Sequence, residues 1–146
     1  MMHPERRRLL TQFNCKAPVT IASLKSFEEE SSIRLPDDYK SFLQEANGGE
    51  GLIGEAYAVL WPIEYLLTAN EDYEVAEYAP GLFLFGTDGG GEAFAFDMRL
   101  DAKPIVAVPF VGMELKAIRA LGPSFDEFLN VLYRGEVLYG KERERA

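Results

Sequence analysis

The chain has 146 residues, 47% hydrophobic, 12% aromatic and 27% charged, a size and balance that one folded core satisfies and that exclude a disordered or low-complexity protein. Its net charge of −9 speaks against nucleic acid and anionic lipid as partners, and its single cysteine, Cys15, excludes an internal disulfide and a cysteine-built zinc site. The longest nearly apolar run, 105–113, contains Pro109 and Gly112 and is about half the length of a membrane helix, and no apolar signal core follows Arg6, Arg7 and Arg8, so a cytoplasmic setting is expected.

Residues 1–19 show no sustained period and are expected to form a mobile arm or a short helix ahead of the domain. Thr20 is placed to cap a helix near 21–31, in which Ile21, Leu24 and Phe27 recur at helical spacing. Pro36 suits the first turn of a second helix, Asp37 and Asp38 complement its dipole, and Tyr39, Phe42, Leu43 and Ala46 fall at i, i+3, i+4 and i+7. Asn47, Gly48 and Gly49 stop it, because glycine tolerates the left-handed backbone that ends helices.

Residues 56–61 have the pattern of a strand, Pro62 opens a short helical segment through Ile63, Tyr65, Leu66 and Leu67, and 71–79 is acidic and loosely helical. Two apolar runs, 82–85 and 93–96, are divided by a glycine-rich segment, the signature of a hairpin. Phe94 and Phe96 share one face and Ala93, Ala95 and Asp97 the other, as in a sheet with one buried side. Residues 104–110 supply a strand bounded by prolines and so placed near an edge. In the last helix Ser124 and Glu127 form a capping box, and Phe125, Phe128, Leu129 and Leu132 make an apolar stripe closed by Gly135. The domain is expected to span 20–137, followed by a charged, solvated tail at 138–146. Helices, then strands, then a helix imply an α+β fold with a mainly antiparallel sheet.

Charge is placed unevenly. Residues 28–97 hold 16 Asp and Glu against Arg34 and Lys40 alone, a net −14, and between Lys40 and Arg99 there is no cation. Such a field draws in basic partners and raises their association rate, although a solvated acidic surface kept for solubility explains it equally well.

The remaining motifs favour structure over chemistry. Gly49, Gly51 and Gly54 match G-x-G-x-x-G, but they follow a helix, and Glu50 and Glu55 would repel a phosphate, so a helix stop and loop is the better reading. Gly89, Gly90 and Gly91 lack the Lys and Ser/Thr of a phosphate loop and fit a hairpin turn. Asp88, Glu92 and Asp97 offer oxygen ligands for a hard cation, yet acids are ordinary at hairpin ends. The sole histidine, His3, lies in the expected arm, where it cannot serve a nucleophile as a rigidly held base. No catalytic centre, metal or cofactor is expected. Trp61, the one tryptophan, is more often core or pocket wall than an anchor, and is retained as a candidate anchor.

The series Leu35-Pro36-Asp37-Asp38-Tyr39, Phe42-Leu43, Asn47-Gly48-Gly49, then Trp61, Ile63 and Leu66, Asp88-Gly89-Gly90-Gly91, Asp97, Ser124-Phe125 and Glu127-Phe128-Leu129 resembles the SUKH superfamily, which includes fungal cell-wall assembly regulators and many bacterial immunity proteins. The resemblance covers about 20–135, and 110–121 follows no pattern that it places. It implies helices packed on a twisted, mostly antiparallel sheet, and a role in binding with no catalytic residues. Fungal members act as scaffolds with long disordered flanks, whose absence here favours the bacterial type, a cytoplasmic protein that neutralises a cognate toxin.

The expected function is therefore an immunity-type protein that binds a basic toxin domain, such as a nuclease. A housekeeping scaffold of the same fold is the alternative, and a small metal-assisted hydrolase using Asp88, Glu92 and Asp97 the third reading. The expected contact residues are Asn47, Gly48, Gly49, Trp61, Glu71, Glu77, Asp88, Gly89, Gly90 and Gly91, because glycine loops admit a second backbone and exposed acids steer a basic partner.

Overall fold

The computed structural model describes residues 2–135. In chain order these form α1 (Pro4–Leu9), β1 (Phe13–Cys15), α2 (Ile21–Ser31), α3 (Asp37–Leu43), β2 (Gly49–Ile53), β3 (Ala56–Leu60), α4 (Ile63–Asp72), α5 (Val75–Tyr78), β4 (Leu82–Thr87), β5 (Glu92–Asp97) and β6 (Ile105–Pro109). A 3-10 turn (Leu115–Ala117), β7 (Arg119–Gly122) and α6 (Phe125–Arg134) follow. The seven strands lie in sequence order in one sheet, each antiparallel to the next, which gives the α+β architecture that the order of elements implies.

The helix boundaries follow local chemistry. Thr20 Oγ1 accepts from the Ser23 amide at the start of α2, and Ser124 Oγ accepts from the Glu127 amide at the start of α6. Pro36 precedes α3 with Asp37 and Asp38 in its first turn, and Gly135 ends α6 at φ 75°.

Three local expectations are corrected. The segment before Pro18 holds a short helix, one of the two forms expected of it, but it does not stand ahead of the domain: α1 packs on α6, β1 forms the sheet edge beside β2, and Leu9, Leu10 and Phe13 are buried. The run is too short to show a period, and the buried Arg6 disguises its inner face. The glycine-rich stretch after Asn47 is no loop but β2, hairpinned to β3. Both sides of the central strands are buried, since Ala93, Ala95 and Asp97 are as enclosed as Phe94 and Phe96. The strand expected over 104–110 does lie near an edge: it is β6, and the stretch after Phe110, which follows no sequence pattern, supplies the edge strand β7 beside it. The expected tail, 138–146, and residues 136 and 137 of the expected domain lie outside the described residues.

One face of the sheet is aromatic. Phe85 stacks on Phe96 at 4.4 Å between ring centroids, Phe94 meets Phe128 at 4.9 Å, and Tyr39 packs between Phe96 at 5.0 Å and Phe125 at 5.1 Å, which joins the sheet to α3 and α6. On the other face Ala93, Ala95, Val106 and Val108 form the floor. Phe110 continues the row of Val106 and Val108, and its contact with Tyr73 at 4.7 Å places the end of α4 over this side. Where β3 leaves β4 after Leu60, the Asn70 side chain stands in for a strand: its Oδ1 accepts from the Leu84 amide at 2.8 Å, and its Nδ2 donates to the Leu84 carbonyl at 3.0 Å.

The Tyr39 hydroxyl is buried with no hydrogen-bond partner among the described residues, and burial pushes its pKa up. An unpaired buried hydroxyl costs about 1–3 kcal/mol. Tyr39→Phe keeps the ring and removes the oxygen, so denaturant unfolding should show a protein equal to the parent or about 1 kcal/mol more stable.

Candidate functional site

The structure gives the sequence-selected residues two kinds of work. Asn47 caps α4 from outside the helix: its Oδ1 accepts from the Ile63 amide at 2.8 Å and its Nδ2 donates to Glu64 at 2.9 Å, where Pro62 offers no side-chain cap. Gly48, at φ 76°, lies so close to β3 that a Cβ would stand 2.2 Å from the Leu60 carbonyl oxygen. A Cβ on Gly49 would stand 2.2 Å from the Asn14 carbonyl oxygen of the edge strand. These three residues hold the sheet and α4 together. Asn47→Ala removes the cap, and chemical denaturation should register a loss of about 1–2 kcal/mol.

Asp88 is likewise engaged at home, its Oδ1 accepting from the amides of Gly90 at 2.8 Å and Glu92 at 3.2 Å, which closes the β4–β5 turn. Gly89 sits over Tyr57, whose ring would stand 2.9 Å from a Cβ there, and the Gly91 carbonyl accepts from the Phe110 amide at 2.9 Å. The turn is thereby tied to two aromatic residues that sequence reasoning did not select.

Those aromatics lie on the same side of the sheet. Tyr57, Val59 and Trp61 alternate outward along β3 while Ala56, Ala58 and Leu60 face the core, and Leu52 lies opposite Tyr57 in register. Trp61, itself buried, meets Tyr65 edge-on at 5.4 Å and lies parallel to Tyr73 at 6.4 Å, and Tyr73 packs on Phe110. Leu52, Tyr57 and Tyr73 are 41%, 43% and 39% exposed, too much apolar area for residues that serve only the core. The signal was present in the alternation of small alanines with Tyr57 and Val59, which marks an outward row distinct from the core row.

Glu71, Asp72, Glu74 and Glu77 form an exposed ridge along α4 and α5, and none of them is ion-paired among the described residues. Other carboxylates are consumed internally: Glu28 by Lys40, Glu45 and Asp126 by Arg6, Glu92 by Arg119, Asp97 by Arg99. Glu50 receives the Tyr57 hydroxyl hydrogen, and that bond together with burial raises the Tyr57 pKa.

The three acids considered as cation ligands do not converge. Asp88 and Glu92 are at one end of β5 and Asp97 at the other, where the Arg99 guanidinium holds its carboxyl below the usual carboxylate range. This separation removes the basis for the metal-assisted hydrolase reading. His3 is exposed at the start of α1, with Nδ1 accepting from the Glu5 amide.

By fold the chain is an α+β domain on an antiparallel meander, and the surface just described is carboxylate and aromatic in character. It belongs to the SMI1 / KNR4 family (SUKH-1), whose family model matches residues 18–131. No curated protein matches the chain. The matched span begins after β1, so α1 and the edge strand precede it. Among the described residues no helix is long and apolar enough to cross a membrane.

Proposed function

We propose that the protein is a binding module of the immunity type, which acts in the cytoplasm and neutralises a cognate toxin by covering a basic, nucleic-acid-facing surface on it. The observation that carries this reading is the stretch 41–98, with 11 carboxylates and no lysine or arginine, of which the α4–α5 ridge is exposed and unpaired among the described residues. Family membership supports it, since the SUKH superfamily includes immunity proteins. An exposed acidic ridge such as that of α4 and α5 steers a basic partner over roughly 8–10 Å at physiological ionic strength.

The test uses the product of a toxin-like reading frame beside the gene. Added in equal amount, the protein should abolish the toxin's activity. The association rate should fall steeply with salt while dissociation changes less. The double variant Glu71→Lys/Glu77→Lys should associate about tenfold more slowly at low salt, with the difference shrinking at high salt. A salt-independent association rate would remove the electrostatic basis of the reading, and undiminished toxin activity would remove the immunity role.

A further inference from the structure

We infer that the outer face of the β2–β3 hairpin, continued by Tyr73 and Phe110, is the contact surface, and that it takes a lysine- or arginine-bearing strand or loop of the partner protein. This inference rests on the binding reading above and assigns the site within it. The two faces of the hairpin differ sharply. Ile53, Ala56, Ala58 and Leu60 turn inward and are buried, and both strands pack on α6, whereas Leu52 and Tyr57 form an exposed cross-strand pair on the other side. Two neighbouring residues with more than two fifths of their surface in water, on the same strands, mark a face that lacks its cover.

The chemistry of the rim selects the occupant. Glu50 lies on this face beside Tyr57, Asp72 and Glu74 flank Tyr73 in the chain, and Asp88 precedes the glycine that leans on the Tyr57 ring. Every strand and helix from β2 to β5 lacks a cation, and on the neighbouring edge strand Asn14 stands opposite Glu50, with Lys16 only beyond its end; Arg119 of β7, which lines a cavity with Tyr57 and Asp88, is paired with Glu92 at 2.7 Å. An incoming lysine or arginine therefore meets carboxylates on the rim and the half-exposed ring of Tyr57, which attracts a cation through its quadrupole, while Tyr73, its ring packed between Trp61 and Phe110, borders the site. Its aliphatic stem and any neighbouring apolar side chain cover Leu52 and Val59.

The probe is a short peptide alternating arginine with leucine, compared with a counterpart carrying glutamate for arginine. The full chain is titrated while the emission of Trp61, the only tryptophan, and backbone amide shifts are followed. Binding of the arginine peptide, weakened by salt and shifting residues 50–59, Tyr73 and Phe110, is expected. Leu52→Ala/Tyr57→Ala should weaken it about tenfold with the fold intact by circular dichroism, whereas Ile21→Ala, on exposed α2, should leave it unchanged. Shifts confined to other surfaces, equal binding of the glutamate peptide, self-association lost in the double variant, or loss of accessibility restored only by deleting 136–146 would each overturn the assignment. The two readings separate cleanly: a peptide bound here without neutralisation of the toxin removes the immunity role alone, and full toxin binding by Leu52→Ala/Tyr57→Ala removes this face alone.

Discussion

Phe128→Ala should lower the unfolding free energy by about 3–5 kcal/mol, the range for deleting a buried aromatic ring whose neighbours cannot collapse into the space. Phe128 has no exposed surface and lies at the meeting point of helix and sheet, 5.4 Å from the Phe85 ring, 4.9 Å from Phe94 and 5.8 Å from Phe125. Those rings belong to β4, β5 and α6, so no single element can move to refill the cavity without disturbing the others. For a chain of this length the melting temperature should drop by roughly 10 °C. Phe128→Leu, which keeps most of the volume, should cost much less. Equal melts for the two variants would mean that the site relaxes freely and the aromatic layer is not close-packed.

Arg6→Ala should cost about 3 kcal/mol, at the lower end of the range for removing one member of a buried charge network. All five guanidinium hydrogens are used: Nε and Nη2 bind the two oxygens of Asp126 at 2.8 and 3.2 Å, Nη1 binds Ser41 at 3.0 Å and Glu45 at 3.0 Å, and Nη2 also reaches the Asp38 carbonyl at 3.1 Å. Burial opposes the charge, but the bonds to Asp126 and Glu45 outweigh it and hold the Arg6 pKa above its usual value. The lower figure follows from Asp126, whose side chain is 49% exposed and so remains hydrated when its partner is removed. Arg6→Lys should recover only part of the loss, because an ammonium cannot form the two-bond pairing with Asp126. Arg7, exposed one residue later, is the control, and Arg7→Ala should change stability by less than about 0.5 kcal/mol. If Arg6 and Arg7 variants unfold at the same denaturant concentration, α1 is not held by this network.

Part of the candidate surface was legible and part was not. Trp61 and the Asp88–Gly91 turn were selectable because a lone tryptophan and a glycine run stand out in any composition, and both do adjoin the aromatic row. Asn47, Gly48 and Gly49 stand out for the same reason, yet the geometry shows them serving the fold, one as a cap and two as points of close backbone approach. Leu52, Tyr73 and Phe110 were missed because each is unremarkable within its own segment, and only the pairing of Leu52 with Tyr57 and the packing of Tyr73 on Phe110 bring them to one side of the sheet.

By itself the sequence determined the elements whose causes are local: the capped starts of α2 and α6, the aspartate-led first turn of α3, the glycine stop of α6 and the β4–β5 hairpin, because caps, periods and turn residues act within a few positions, whereas α3 ends at Leu43, ahead of the stop at 47–49 expected for it. It also determined the family and the cation-free stretch, which are properties of order and composition. Tertiary structure alone decided that α1 and β1 join the domain, that the glycines after Asn47 form a strand, and that both sides of the central sheet are covered. Each of these depends on partners far away in the chain. Arg6 is buried because Asp126 lies 120 residues away, and Gly49 and Gly54 are glycines because the backbones of Asn14 and Tyr133 pass where a Cβ would stand. Which carboxylates remain free for a partner was decided in the same way, since an ion pair is a fact of distance in space and leaves no mark in local sequence.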